Sequence, residues 1–146
     1  MVTLQAKQLA NAHAFLARMS AADFHGVAAL LAPDFKLEFF PASVLPPGGK
    51  PTLNREETVE FFKRVTDEVF EYIGFLPPLH TITGPDAVVI HVESDGKSRK
   101  SGKIYNNQYM YTFQFCGDKI VRLRQFVDSK YYADFFGTGG VAAAGV

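Results

Sequence analysis

YNNQYMYTFQF, Tyr105 to Phe115, is the stretch whose reading decides the fold. Side chains alternate sides along a strand, so residues two apart share a face. The odd positions are Tyr105, Asn107, Tyr109, Tyr111, Phe113 and Phe115; the even positions are Asn106, Gln108, Met110, Thr112 and Gln114. One face is therefore aromatic apart from one amide, and the other is uncharged and amide-rich. An ordinary core strand has no need of three phenols and an amide on its buried side. Two readings stand: the wall of a pocket, polar at its mouth and aromatic at its floor, or a core whose hydroxyls are satisfied internally.

Strand patterns continue on both sides. KIVRLRQFVD follows across a Gly-Asp turn, and LHTIT and AVVIHVES precede, joined by a Gly-Pro turn. Asp95-Gly96 and Gly102 predict a hairpin loop around GKSRKSGK, whose Lys97, Arg99, Lys100 and Lys103 form a solvated turn rather than a phosphate site. Further upstream the period becomes helical. Leu9, Ala12, Phe15, Leu16 and Met19 make a stripe within Leu4 to Met19. Asp23 N-caps a second short helix that ends at Pro33. Asn54 and Glu57 open a third, with Val59, Phe62, Val65 and Val69 on its stripe and Phe61 beside it. Between them FKLEFFP alternates as a half-buried strand, and SVLPPGGKPTL is a loop. Lys130 to Phe136 is a candidate closing helix.

Helices first and a long meander afterwards predict an α+β fold: a curved antiparallel sheet wrapped around three helices, a cone whose open end suits a small molecule. One domain over 1–136 is expected, with a flexible Gly/Ala tail over 137–146.

The 146-residue chain balances fifteen basic against fifteen acidic residues, so no net field draws nucleic acid or an anionic membrane. Its apolar runs fall short of the ~18 residues that span a bilayer, and no signal segment opens it. Cys116 is single, which permits no internal disulfide and fits a reducing, cytoplasmic setting; it is predicted at a strand end, on the face away from the aromatics. No two histidines have the i, i+2 or i, i+4 spacing of a metal pair, so neither metal nor cofactor is expected. His91 alternates with Val88, Ile90 and Val92 and is read as outward-facing, as are Glu93 and Glu38. His13 and His25 sit on helices among alanines. His80 shares a face with Ile82 near the expected rim and is the leading candidate for a general base. Asp128 is placed to cap the turn that follows it.

The order of elements resembles the nuclear-transport-factor-like cone fold shared by ketosteroid isomerase, limonene epoxide hydrolase, scytalone dehydratase and the SnoaL-like polyketide cyclases. AADFHGVAALLAPDF, YNNQYMYTFQF and GDKIVRLRQFVDS carry the likeness, over about residues 4 to 136. Within the fold, FFPASVLPP, NREETVEFF, YNNQYM and FVDSKY look most like fungal SnoaL-like isomerases and cyclases of polyketide-terpenoid biosynthesis. The resemblance also tests chemistry position by position. It puts Phe39 where ketosteroid isomerase-like enzymes carry their base, Phe15 at their helix tyrosine and Tyr111 at their strand acid. A phenyl ring neither accepts nor donates a proton, so that mechanism is absent. The last-strand aspartate of limonene epoxide hydrolase-like sites falls on Gln125, which removes that mechanism as well.

The resulting expectation is a site with Tyr109, Tyr111, Asn107 and His80 as catalytic residues. Phe15, Phe39, Phe61, Phe113, Leu123, Gln125 and Val127 would contact the substrate. Phenols and amides orient a carbonyl or stabilise an enolate by hydrogen bonding. The implied function is a cofactor-independent isomerase, cyclase or dehydratase acting on a hydrophobic polycyclic molecule of secondary metabolism. Two others stay open: a binding protein without chemistry, and an assembly module whose cone is merely core. Gln108, Met110 and Thr112, with Ile120 and Phe126, predict an uncharged outer face that pairs two copies into a homodimer.

Overall fold

Hydrogen-bonded caps set the helix boundaries. The computed structural model of the chain describes residues 1–137; the predicted 137–146 tail, apart from Gly137, lies outside them. Helix α1 (Leu4–Ser20) starts where Thr3 accepts from the Ala6 amide, and buries Ala12, Phe15, Leu16 and Met19. Its one buried polar residue, Gln8, donates to Asp86 Oδ1 at 2.9 Å and the Gly117 carbonyl at 2.8 Å, which ties α1 to two strand turns. Helix α2 (Phe24–Leu30) is capped by Asp23 as expected. Helix α3 (Arg55–Arg64) opens on the reciprocal Asn54–Glu57 capping box and runs into a single π-helical turn at Val65–Val69. Helix α4 (Ser129–Phe136) begins where Asp128 accepts from the Lys130 and Tyr131 amides.

The strands are β1 (Leu31–Phe40), β2 (Thr52–Asn54), β3 (Phe70–Phe75), β4 (His80–Gly84), β5 (Ala87–Ser98), β6 (Ile104–Tyr105), β7 (Gln108–Cys116) and β8 (Lys119–Val127). Among the described residues they form one sheet in the order β2-β1-β8-β7-β5-β3, with β4 and β6 also on β5. The long β5 is the spine. Its first half pairs β4 and β7, and its second half pairs β3 and β6.

The α+β class holds, and the sheet is curved and unclosed. One detail of the expected architecture is corrected. The sheet is mixed, because β1 and β8 run parallel. They meet from opposite ends of the chain, so no hairpin sets their relative sense. The described helices number four, the three expected under the sheet and α4, which matches the candidate closing helix.

Two local readings also change, and one strand is added. Asp95-Gly96 is not a turn but lies inside β5, and the chain reverses just after Ser98. Glycine at 96 leaves room for its neighbours on β3, since a Cβ there would stand 2.6 Å from Ile73 Cδ1 and 3.2 Å from the Tyr72 carbonyl. The segment after α3 is strand β3, whose register shifts between Phe70 and Tyr72. In β8 the register shifts as Gln114 pairs Arg122 and Phe115 pairs Ile120. Val121 is thus the extra residue of a bulge, which turns Ile120 inward, fully buried. Ile120 therefore does not belong to the outer face where it was expected.

The core forms where α1 lies on the sheet. Phe15 meets Phe113 edge-on at 5.5 Å and Phe62 at 6.3 Å, over Leu37, Ile90 and Leu123. Outside, Glu38 pairs with Arg122 and Arg124 across the parallel strands, as an outward-facing carboxylate should.

Candidate functional site

Above that core the same sheet face bounds a cavity of about 300 Å³. Strands β7 and β8 supply Tyr109, Tyr111, Gln125 and Val127. Strand β3 faces them with Phe70, Ile73 and Phe75, and α3 with its π turn adds Phe61, Phe62, Val65 and Thr66. Phe39 and Phe40 come from the end of β1, Val44 and Leu45 from the loop after it, and Tyr132 and Phe136 from α4. The cavity reaches the surface beside the exposed Lys50 and Arg64. Lys50 is ion-paired with Glu57, whose carboxyl is held below its usual range by the Asn54 backbone hydrogen bond and by that lysine.

Aromatic packing keeps the cavity in shape. Phe39 stands edge-on to Phe61 at 5.3 Å, and Phe75 does the same to Tyr111 at 5.6 Å. Tyr109 and Tyr111, two residues apart on one face of β7, stack within 2° of parallel at 5.5 Å.

The hydrogen-bonded phenols and amides gather on the β7–β8 side, with Thr66 of the π turn and Ser94 of β5 as further polar residues of the lining. Tyr111 donates to Gln125 Oε1 at 3.1 Å. The Tyr105 and Tyr109 hydroxyls are 2.7 Å apart, and Asn107 Nδ2 donates to Tyr105 at 2.9 Å. Burial pushes all three phenols well above the usual tyrosine range. They are neutral hydrogen-bond donors at physiological pH, and none of them is a base. Among the described residues the lining contains neither a carboxylate nor a histidine. No cluster of three or more His, Cys, Asp or Glu side chains among those residues could hold a metal ion. No helix among them is long and apolar enough to cross a membrane.

Set beside the sequence expectations, Tyr109, Tyr111, Phe39, Phe61, Gln125 and Val127 all line the cavity. Phe15, Phe113 and Leu123 do not; they are fully buried in the core beneath it. Asn107 is also fully buried and stands behind the wall, where it holds Tyr105. His80 is corrected: it lies exposed on β4, stacked at 6.0 Å on His91, and has no access to the cavity. Its strand is exposed along almost its whole length, so sharing a face with Ile82 placed it on the outside. His91 is half-buried and meets Gln108 Oε1 at 2.5 Å on that outer side.

Seven lining aromatics were not anticipated as site residues: Phe40, Phe62, Phe70, Phe75, Tyr105, Tyr132 and Phe136. Tyr105 carried its signal openly, since it shares the odd face of the decisive stretch. Phe70 and Phe75 were hidden by the register shift at Glu71. Tyr132, with Phe136 at i+4, showed the helical spacing that packs the two rings together at 4.9 Å and seats Phe136 against Tyr105 and Phe70.

A curved sheet closed by helices over one apolar, tyrosine-walled cavity defines a cone-fold protein with a small-molecule-sized pocket. The chain belongs to the SnoaL-like family, whose SnoaL-like domain model matches residues 12–123. Among solved structures it is similar to BvnE pinacolase from Penicillium brevicompactum, at 21% identity and TM-score 0.78, over 97% of this chain and 99% of that one. PrhC from Penicillium brasilianum matches at 18% identity and TM-score 0.78, over 97% and 93%. TerC, crystallised with polyporic acid, matches at 18% identity and TM-score 0.72, over 88% and 96%. At these identities the likeness is one of fold. No curated protein matches the chain by sequence.

Proposed function

We propose that this chain is a cofactor-independent isomerase, cyclase or dehydratase for a hydrophobic polycyclic molecule of secondary metabolism, working in a cytoplasmic setting. The observation that carries the reading is the hydrogen-bonded set of neutral phenols and an amide on one wall of a largely apolar cavity. Such a wall orients one oxygen of an apolar substrate while the remaining rings exclude water. Tyr109 would donate to the reacting oxygen, while Tyr111, whose own proton goes to Gln125 Oε1, would fix the Gln125 amide beside it. Phenolic donors aimed at a carbonyl stabilise the negative charge that develops as it enolises. The chain's contribution is then donation and shape, and the migrating proton passes within the substrate or through water admitted beside Arg64. The likeness to a pinacolase and to a protein crystallised with polyporic acid supports the substrate class.

A specific observation favours a second reading. Phe39 and Phe15 occupy the places where the resemblance to ketosteroid isomerase would put a base and a tyrosine, as in a pocket that binds without reacting. Incubation with a panel of polycyclic ketones, followed by chromatography and mass spectrometry, separates the two. An enzyme yields a product of unchanged mass or one lighter by a single water, with a rate flat across neutral pH. Tight binding with every ketone recovered unchanged establishes the binding protein instead. A bell-shaped profile centred near neutrality would contradict the phenol-only site.

The assembly we propose is a homodimer through the outer sheet face. Met110 and Phe126 are cross-strand partners there, 40% and 53% exposed, beside Gln108 and Thr112. Exposed apolar side chains on a sheet face, flanked by the Glu38–Arg122–Arg124 ion pairs, suit a two-fold contact. Light scattering should give about twice the 16.1 kDa chain mass, and Phe126→Lys should return it to one.

A further inference from the structure

Asn107, Tyr105 and Tyr109 differ from an ordinary buried hydroxyl cluster in that every donor and acceptor can be assigned. Asn107 Oδ1 accepts the Gln108 amide at 2.7 Å, which fixes the side-chain amide and turns its nitrogen away from β7. That nitrogen donates to the Tyr105 hydroxyl at 2.9 Å and to the Asp128 carbonyl at 3.3 Å. An amide nitrogen only donates, so Tyr105 accepts here. Tyr105 is 1% exposed, and its hydroxyl has one other described partner, the Tyr109 hydroxyl at 2.7 Å. Were Tyr109 the donor in that pair, Tyr105's own proton would have no acceptor among the described residues. Although Tyr105 also borders the cavity, it is 1% exposed against 8% for Tyr109, so the larger desolvation penalty would fall there. The proton between the rings therefore belongs to Tyr105. Tyr109, whose hydroxyl is paired only with Tyr105 among the described residues, keeps its own proton for the cavity it lines.

Resting on the reading of the cavity as a ligand site, we propose that Asn107→Tyr105→Tyr109 is a one-way donor chain. It ends as a proton presented to the cavity, and it selects apolar ligands that carry an acceptor oxygen, a ketone or quinone carbonyl. Asn107 and Tyr105 are positioning residues, and Tyr109 is the contact. Donors that polarise one another in series strengthen the terminal bond, and Tyr105 is shielded enough for that to count. The second polar pair complements the first. Tyr111 spends its proton on Gln125 Oε1, so the carbonyl has one donor on its oxygen from Tyr109 while the Gln125 amide nitrogen, committed to no described residue, borders the same space.

Neutron diffraction from crystals of the perdeuterated protein tests the direction without a ligand. The deuteron should lie on Tyr105 Oη along the line to Tyr109; a deuteron on Tyr109 Oη along that line overturns the proposal. The ligand arm compares fluorene with 9-fluorenone, tricyclic isosteres that differ only by the carbonyl, in the parent and in Tyr109→Phe and Tyr105→Phe. Bound fluorenone should show a lowered carbonyl stretch in the infrared. Tyr109→Phe should return it toward the value in alkane and weaken fluorenone binding about two- to tenfold. Tyr105→Phe should move the stretch part of the way. Fluorene affinity should hold in both variants, and a merely structural role for Tyr105 would leave the stretch unmoved. An unshifted stretch in both variants overturns the proposal. If neither probe binds while the deuteron sits as expected, the reading of the cavity as a ligand site fails and the direction of the chain stands.

Discussion

Strand β7 carries two halves that look alike in sequence and behave differently in the fold. Phe113 and Phe115 point the same way as Tyr109 and Tyr111, and all four are buried. Over the first pair lies α1, whose Phe15 reaches Phe113 at 5.5 Å and seals it. Over the second pair stand Phe75 and Phe61, which leave about 300 Å³ unfilled between them and the strand. Alternation along a strand determines which face is buried. Whether that face becomes core or pocket depends on the element that crosses above it.

The largest expected effect breaks the sealed half. Phe113→Ala should cost about 3–5 kcal/mol, because a closed core relaxes little around a missing ring. Phe61→Ala borders open space and should cost roughly half as much or less. Urea melts of the two variants measure the difference directly, and equal costs would erase the distinction between core and cavity.

The three buried phenols offer a second way in. Burial raises the pKa of Tyr105, Tyr109 and Tyr111 in the folded state, and of a tyrosine by nothing comparable in the unfolded one. For an acid with a raised folded pKa, stability is complete below the unfolded value and falls as pH rises through it. Each phenol should then remove about 1.4 kcal/mol per pH unit above ~10, and the three together roughly 4. Alkaline unfolding should be steep, with tyrosinate absorbance from the buried rings appearing only as the fold is lost. Ionisation of all three rings well before the loss of helical circular dichroism would mean that the cavity admits bulk water.

How much of this could be read beforehand follows from the same contrast. The aromatic face was legible because its alternation runs unbroken from Tyr105 to Phe115, even across the gap between β6 and β7. Caps at Asp23, Asn54 and Asp128 were legible because each is a local hydrogen bond. Ile120 and β3 were not, since each sits at a register shift that breaks the period of two. Asp95-Gly96 carries the strongest short hairpin signal and still misleads, because its glycine answers a neighbour, Ile73, far off in sequence. The division of the predicted site into lining residues and buried support is of the same kind. Phe15, Phe113, Leu123 and Asn107 share their period with the lining residues, and only the tertiary cover separates them.

Phe39→Asp sharpens the boundary between the halves. Phe39 is 8% exposed, lines the cavity and meets Phe61 edge-on. A carboxylate there loses hydration, so its folded pKa should rise above the unfolded value of ~3.9. The variant should fold, be less stable than the parent, and lose more at pH 8 than at pH 5. Thermal melting at the two pH values checks this. A pH dependence identical to the parent's would mean full hydration at position 39 and a cavity far more open than the packing against Phe61 describes.

The smallest effect isolates the cavity from the core most cleanly. Tyr111→Phe keeps the ring that stacks on Tyr109 and meets Phe75, and removes one oxygen. What disappears is the 3.1 Å bond to Gln125 Oε1, about 0.5–1.5 kcal/mol net. The cost stays at that level because Gln125 is half-buried at the cavity wall, where water or a ligand can replace the lost donor. Were Tyr111 sealed as Phe113 is, the same change would strand a buried carbonyl and cost more. Denaturant midpoints should therefore move little, while fluorenone, whose oxygen would sit against this wall, binds measurably differently from fluorene. A large loss of stability with no change in that preference would place Tyr111 with Phe113, in the core.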